Sequence, residues 1–396
     1  APASTQKIIT SVTAFELLGK EYRYFTEIGY AGESIYFKPS GDPTFGSFRF
    51  ASTRPEKIFN DFKDSLAKAG IKAINDQFSI EDYPVFDDQN IPDGWIMQDI
   101  GNYYGAGSSK INWKENQYDL YFNSANRAID YWRVTVIRDS LYKIPVDSFI
   151  HRVTAGEEGS GDNAYIYPPM EGPNYLVKGT IPPNQKNFKI SGAVINPENY
   201  FINDFREFLF KEGLLKGDIK KKYDVKTSLR DMYRHIAWHS SPTLDSIIYW
   251  FNKKSINLYG EALIKTFALE KLKYASTDFG VTILRNFWKE KGLNSNELNM
   301  VDGSGLSPLN RVTTHAQVEI LKYAKAKDWY SYFYNSLPEY NGMKIKSGTI
   351  RGVKGFCGYH TAKGGKEYIF SFLVNNYNGS ASALVNKMYK VLDQLK

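Results

Sequence analysis

Pro2-Ala3-Ser4-Thr5-Gln6-Lys7 runs directly into Ile8, Ile9, Val12, Phe15, Leu17 and Leu18 before Gly19. Proline near the start, apolar residues at helical spacing and glycine at the end predict a helix with an apolar face. Ser4 and Lys7 are three positions apart, so they occupy neighbouring places on one helical face. A serine hydroxyl is weakly nucleophilic until a base removes its proton, and a neutral lysine one turn away can act as that base. A helix starting this early leaves almost no preceding chain to form a supporting sheet. The expectation is therefore that a supporting N-terminal segment is missing from this numbering and that strands near the C-terminus pack beside Ser4.

Two further clusters carry compatible chemistry. Ser255-Ile256-Asn257 follows the apolar run Ile247 to Phe251 and precedes the next helical pattern, so a loop there can turn a hydroxyl and an amide into one cleft. Lys346-Ser347-Gly348-Thr349 comes just before sheet-like residues. There a cation and hydroxyls can hold a carboxylate while glycine permits close backbone approach. Each cluster alone also fits a bland role: a capped surface helix, a satisfied turn, or a solvated strand start. Their order along one chain points instead to serine acyl transfer.

The rest of the chain frames these clusters. From about 30 to 225, aromatic and β-branched runs alternate with glycine, proline and acidic turns, which reads as strands and loops with local helices at Pro55 to Ala67 and Asn199 to Glu212. After 225, helical runs are expected at Ser246 to Phe251, Tyr259 to Leu272 and Asp278 to Lys291. Lys354 to His360 and Glu367 to Asn375 read as a hairpin, and Ser380 to Gln394 as a closing amphipathic helix. The 396 residues exceed what one small core organises, and 29 Tyr, 25 Phe and 7 Trp exclude global disorder. No stretch is long and apolar enough to span a membrane, and no charged start leads into an apolar signal region.

The net charge of +7 is dispersed. Lys220, Lys221 and Lys222 form only a short basic cluster, so no nucleic-acid partner is expected. The single Cys357 excludes an intrachain disulfide and, in an apolar run, is expected buried. His151, His235, His239, His315 and His360 form no metal motif; His235 and His239, which a helix would bring together, are assigned to packing. Asp302-Gly303-Ser304-Gly305-Leu306-Ser307 reads as a structural turn rather than a second nucleophile segment, and Tyr103-Tyr104 as aromatic packing.

With these motifs in hand, the chain resembles the low-molecular-mass class C penicillin-binding proteins of the peptidase S13 type. The resemblance extends over Gly41-Asp42-Pro43, Gly94-Trp95 with Asp99, His239-Ser240-Ser241-Pro242, Asp302 to Ser307 with Asn310-Arg311-Val312-Thr313, Ser336-Leu337-Pro338 and Asn375. It implies a multidomain α+β fold: a penicillin-binding/serine β-lactamase-like transpeptidase domain, with helices on an antiparallel sheet, interrupted by a mainly β two-domain insertion. The expected division is 1–30 with 226–396 catalytic, 31–110 with 185–225 a first accessory domain, and 111–184 a second nested within it.

The implied activity is a serine D-alanyl-D-alanine carboxypeptidase/endopeptidase that hydrolyses peptidoglycan peptides and is acylated by β-lactams. Ser4 is the implied nucleophile, Lys7 its base, Ser255 the proton relay, Asn257 the orienting amide and Lys346 the local cation. Ser347, Gly348 and Thr349 would contact the substrate carboxylate, backbone N–H groups of Ser4 and Thr349 would form the oxyanion hole, and Asp99 would read the amino end of a peptidoglycan side chain. No cofactor or metal is implied. The implied setting is the periplasm or bacterial cell envelope, and a homodimer is compatible. Two departures stand out: Ile256 replaces an acidic residue and Ser347 the commoner threonine. The segment Glu339 to Met343 is also shorter than the family's usual excursion. A serine β-lactamase or small-ester hydrolase, and an inactive peptidoglycan-binding scaffold, are the competing readings.

Overall fold

The computed structural model describes residues 1–31, 34–82, 84–125, 134–139, 148–217, 219, 226–228 and 233–396. The Lys220–Lys222 cluster lies outside the described residues.

A short 3-10 turn, Ala3–Gln6, leads into the helix Lys7–Leu18, which ends at Gly19. Lys7 through Phe15 are all buried, as expected for a helix enclosed by neighbours rather than facing water. The enclosing elements are the helices Leu244–Lys254, Asn257–Leu272 and Thr314–Lys325. Ile8, Val12 and Phe15 join Ile247, Phe251, Leu263, Phe267 and Ile320 in one core.

The C-terminal sheet is an antiparallel meander of Glu339–Tyr340, Met343–Ile350, Val353–Thr361 and Glu367–Asn375, in that order. One face packs against the Ala3–Gln6 turn and the Thr314–Lys325 helix. Met343, Ile345 and Phe356 meet Met388 and Leu392 of the closing helix, Ala381–Leu392, in a smaller core. Helices on both sides of an antiparallel sheet thus deliver the expected fold class. Cys357 is buried in this sheet, and burial pushes its thiol up to about 12.

The insertion is built on β-sheet and a separate aromatic core in which Phe37, Phe45, Phe62, Trp113, Phe201 and Phe205 pack. Its largest sheet takes strands from Lys226–Ser228, Phe78–Glu81, Ser34–Lys38, Phe25–Ala31 and Arg234–Ser240 in spatial order. Phe25–Ala31 pairs antiparallel with Arg234–Ser240. The expected borders at 30 and 226 therefore fall within this sheet, which reaches from residue 25 to residue 240. A strand cannot end where its ladder partners continue, since its backbone groups would be left unpaired. Likewise Phe188–Ala193, expected outside the nested unit, pairs with Gln117–Ser124. His235 and His239 lie on a strand rather than a helix. His235 Nδ1 contacts Glu27 Oε1 at 2.8 Å, and His239 packs on the Phe45 ring.

The insertion is fastened to the helix Asn257–Leu272 and the Asp302 loop by buried polar contacts. Lys265 Nζ donates to Asp87 Oδ1 at 2.6 Å and to the Gln89 carbonyl at 2.7 Å, and Tyr259 Oη donates to Glu115 at 2.8 Å. Trp95 Nε1 donates to Asp302 Oδ2 at 2.9 Å. Among the described residues, no helix is long and apolar enough to cross a membrane.

Candidate active site

Ser4 lies on the 3-10 turn and Lys7 is the first residue of the helix that continues it. The turn is held by Thr5, whose N–H and hydroxyl both donate to the Pro2 carbonyl. Lys7 Nζ then sits 3.0 Å from Ser4 Oγ, 2.6 Å from Asn257 Oδ1 and 2.7 Å from the Ser304 carbonyl. Two of these partners, an amide oxygen and a carbonyl, can only accept. A neutral amine has two N–H bonds, and those two acceptors satisfy both, leaving its lone pair toward the Ser4 hydroxyl.

Burial favours that neutral state. Lys7 has no solvent exposure, and burial lowers its pKa to about 7, partly offset by the carboxylates of Glu261 and Asp302.

The Ser255 motif sits at the joint between Leu244–Lys254 and Asn257–Leu272, with Ser255 in the left-handed region at φ 56°. A non-glycine residue held there is strained, a state that persists only where its surroundings fix it. The joint sends the two motif side chains to different partners. Ser255 Oγ accepts from Lys346 Nζ at 2.9 Å. Asn257 Nδ2 donates to the Tyr104 carbonyl at 2.7 Å, which fixes the amide so that Oδ1 faces Lys7. Lys346, also fully enclosed, has its pKa held far below the ordinary range by burial, then by the charges of Lys7 and Lys354.

Gly348 brings the C-terminal strand against Ser4. A side chain there would lie 2.7 Å from the Pro2 carbonyl and 2.9 Å from Ser4 N, so only glycine allows this approach. Thr349 accepts from Lys354 Nζ at 2.8 Å through Oγ1. Ser347 is in register with Phe356, whose ring packs on Tyr389 of the closing helix, and so shares that face of the strand. Thr349, Ile350 and Arg351 line the cleft above Ser4; Ser347 is not among the lining residues.

That cleft encloses about 800 Å3. Its other walls come from the insertion, with Asp99, Tyr103, Tyr104 and Tyr165, and from the loop bearing Leu306 and Pro308. Asp99 is half-buried, and burial raises its carboxyl above the usual range against the pull of a long contact, 3.4 Å, from the Tyr104 hydroxyl. Tyr103 and Tyr104, read from sequence as packing, stack edge to face and also face this cleft.

The Asp302 loop is structural, as its glycines suggest. Asp302 Oδ1 accepts from Gln6, Gly305 N–H and Asn310, and Oδ2 from Ser307 N–H and Trp95. Sequence reasoning missed three contributors: the Ser304 carbonyl, the Tyr104 carbonyl and Glu261. Backbone atoms carry no side-chain signature. Glu261 did leave one, a lone carboxylate among apolar residues one turn after Asn257.

Known proteins resemble the chain over nearly its whole length. The D-alanyl-D-alanine carboxypeptidase of Actinomadura sp. (strain R39) is 24% identical over 424 residues, covering 97% of this chain and 75% of that protein. The D-alanyl-D-alanine carboxypeptidase DacB of Haemophilus influenzae is 23% identical over 407 residues, covering 95% and 80%. The crystal structure of penicillin binding protein 4 from Haemophilus influenzae superposes with a TM-score of 0.76 at 19% identity, over 98% of this chain and 91% of that one. The model of the D-Ala-D-Ala carboxypeptidase 3 (S13) family matches residues 1–339, and the chain belongs to that family.

Proposed function

We propose that the serine-type D-alanyl-D-alanine carboxypeptidase/endopeptidase activity of this family is carried in this chain by Ser4, Lys7, Ser255, Asn257 and Lys346. The observation that carries the assignment is the Lys7 amine, buried and held by two acceptors so that its lone pair meets Ser4 Oγ at 3.0 Å.

In this reading Lys7 accepts the Ser4 proton as Ser4 attacks the carbonyl of a D-alanyl peptide bond. Backbone N–H groups of Ser4 and Thr349 receive the oxyanion, and the close Gly348 approach supports their convergence. Ser255, against Lys346, relays a proton to the departing amine. Water then hydrolyses the Ser4 ester, with Lys7 as base again. Thr349 serves the substrate carboxylate: Lys354 occupies one lone pair of its hydroxyl, leaving its proton for an anion. Ser347, on the strand face turned to the closing helix, stays out of that contact; the Gly348 backbone completes that end of the site, and Asp99 reads an amine on the peptidoglycan side chain. A β-lactam acylates the same hydroxyl. The related Haemophilus influenzae protein has been crystallised in complex with a β-lactam.

The same reading places the protein in the periplasm or bacterial cell envelope, acting on peptidoglycan. It divides the chain into a discontinuous catalytic domain from the two ends and two accessory units between them. The test is release of D-alanine from a peptide ending in D-alanyl-D-alanine, which Ser4→Ala removes. Rapid penicillin turnover without D-alanine release would instead mark a β-lactamase.

A further inference from the structure

The helix Asn257–Leu272 presents a second acidic or amide group to the site one turn beyond Asn257. Glu261 has no solvent exposure. Its Oε1 accepts the Ser304 N–H and its Oε2 the Gly303 N–H, both at 2.9 Å. The Ser304 carbonyl, on the far side of the same residue, is the acceptor 2.7 Å from Lys7 Nζ. One face of one helix therefore controls both acceptors of the Lys7 amine: Asn257 directly, and Ser304 through Glu261.

The approach of loop to helix is built for this contact. A side chain at Gly303 would lie 2.2 Å from the Gly260 carbonyl, so loop and helix meet backbone to backbone beside Glu261. Thr10 Oγ1 donates to the Gly303 carbonyl at 2.7 Å, tying the loop to the nucleophile's own helix as well.

We propose that Glu261 is a positioning residue of the acylation site: clamped on the Gly303 and Ser304 N–H groups, its carboxylate holds the Ser304 carbonyl on the Lys7 amine and so aims the Lys7 lone pair at Ser4. This rests on the assignment of Ser4 and Lys7 given above. The charged groups facing Lys7 are Glu261 from this helix, Asp302 from the loop and Lys346 from the strand; those facing Glu261 are Asp302 and Lys7. Burial, and then Asp302, leave the Glu261 pKa raised on balance, against the Ser304 and Gly303 donors and the Lys7 charge; the carboxylate form is the one that fits two oxygens each accepting a backbone N–H.

The test is the second-order rate of penicillin acylation against pH, from about pH 5 to 9, for the full chain and its Glu261→Gln and Glu261→Asp variants, with thermal unfolding of each. Glutamine keeps the shape, removes the charge, and turns one N–H toward a backbone N–H. Its plateau rate should fall at least ~10-fold as the Ser304 carbonyl moves. Its acid limb should move down by roughly one pH unit, because a carboxylate that stabilised protonated Lys7 is gone. A folded Glu261→Gln protein with the parental plateau and limb overturns the proposal. So does a lowered plateau with an unmoved limb, the mark of a merely structural role.

If Glu261→Gln does not fold, Glu261→Asp decides. One methylene shorter, it cannot span both N–H groups, and a folded protein should lose at least ~10-fold in plateau rate; the parental rate overturns the proposal. Failure of both variants to fold also overturns it, since the carboxylate would then serve folding alone. Ser4→Ala in the parental chain must abolish the adduct. An adduct that survives it sinks the Ser4 assignment, a result distinct from any outcome at Glu261.

Discussion

A lysine amine sealed from water loses much of its preference for the charged form, and Lys7, buried beside Ser4, is such an amine. With a pKa lowered to about 7 by burial, Lys7 is protonated below that pH and cannot accept the Ser4 proton. The acylation rate should therefore fall tenfold per unit below about pH 7 and level off above it, as read from stopped-flow penicillin acylation. Lys7→Met removes the base while keeping length, and should slow acylation by roughly 10²- to 10⁴-fold in a folded protein. A parental rate for that variant would remove Lys7 from the mechanism.

Asp99 belongs to the same scale but another step. It lines the cleft without touching the Lys7 group, so Asp99→Asn should raise KM for a peptide bearing a free side-chain amine by roughly tenfold and leave penicillin acylation within about twofold. Equal losses on both substrates would assign Asp99 to support of the insertion. The Ser4 and Lys7 pair was legible because three-residue spacing on a helix is a property of sequence alone. What Lys7 touches was not: Asn257 and Ser304 lie 250 and 297 positions away, and only packing decides such contacts.

At the scale of elements, the site is where a 3-10 turn, a helix joint and a strand are forced together. The strand's approach depends on Gly348, where a side chain would meet the Pro2 carbonyl at 2.7 Å and Thr5 N at 2.8 Å. Gly348→Ala should push the Met343–Ile350 strand away from Ser4, costing about 1–3 kcal/mol by denaturant unfolding and slowing acylation by at least ~10-fold. Unchanged stability and rate would show that the strand does not bear on the nucleophile. The helices after 240 and the C-terminal hairpin were readable from periodicity, since their apolar faces repeat at helical or strand spacing. The left-handed Ser255 was not, because serine has no preference for that conformation; the joint imposes it. The sequence borders at 30 and 226 missed the Phe25–Ala31 and Arg234–Ser240 pairing, which joins strands some 200 residues apart and leaves no local trace.

Across the whole molecule, the insertion is part of the active site's construction. It supplies one cleft wall, fixes the Asn257 amide through the Tyr104 carbonyl, and anchors the Asp302 loop through Trp95. Trp95→Phe keeps the ring packing but deletes the N–H to buried Asp302, and should cost about 1–3 kcal/mol of stability with a measurable slowing of acylation. Stability loss with the parental acylation rate would confine Trp95 to holding the two parts together. The sequence showed that an insertion exists, through its change from helical to β-type runs. It could not show that the insertion's backbone orients the Asn257 amide.

Everything above turns on Ser4 being the acylated hydroxyl. That is tested most directly by intact-protein mass spectrometry after penicillin treatment, with peptide mapping of the adduct and Ser4→Ala as the control. One penicillin per chain is expected, mapped to Ser4, persistent over the measurement and absent from Ser4→Ala. An adduct at another residue, or a folded protein that takes up no penicillin and releases no D-alanine from peptide, would contradict it.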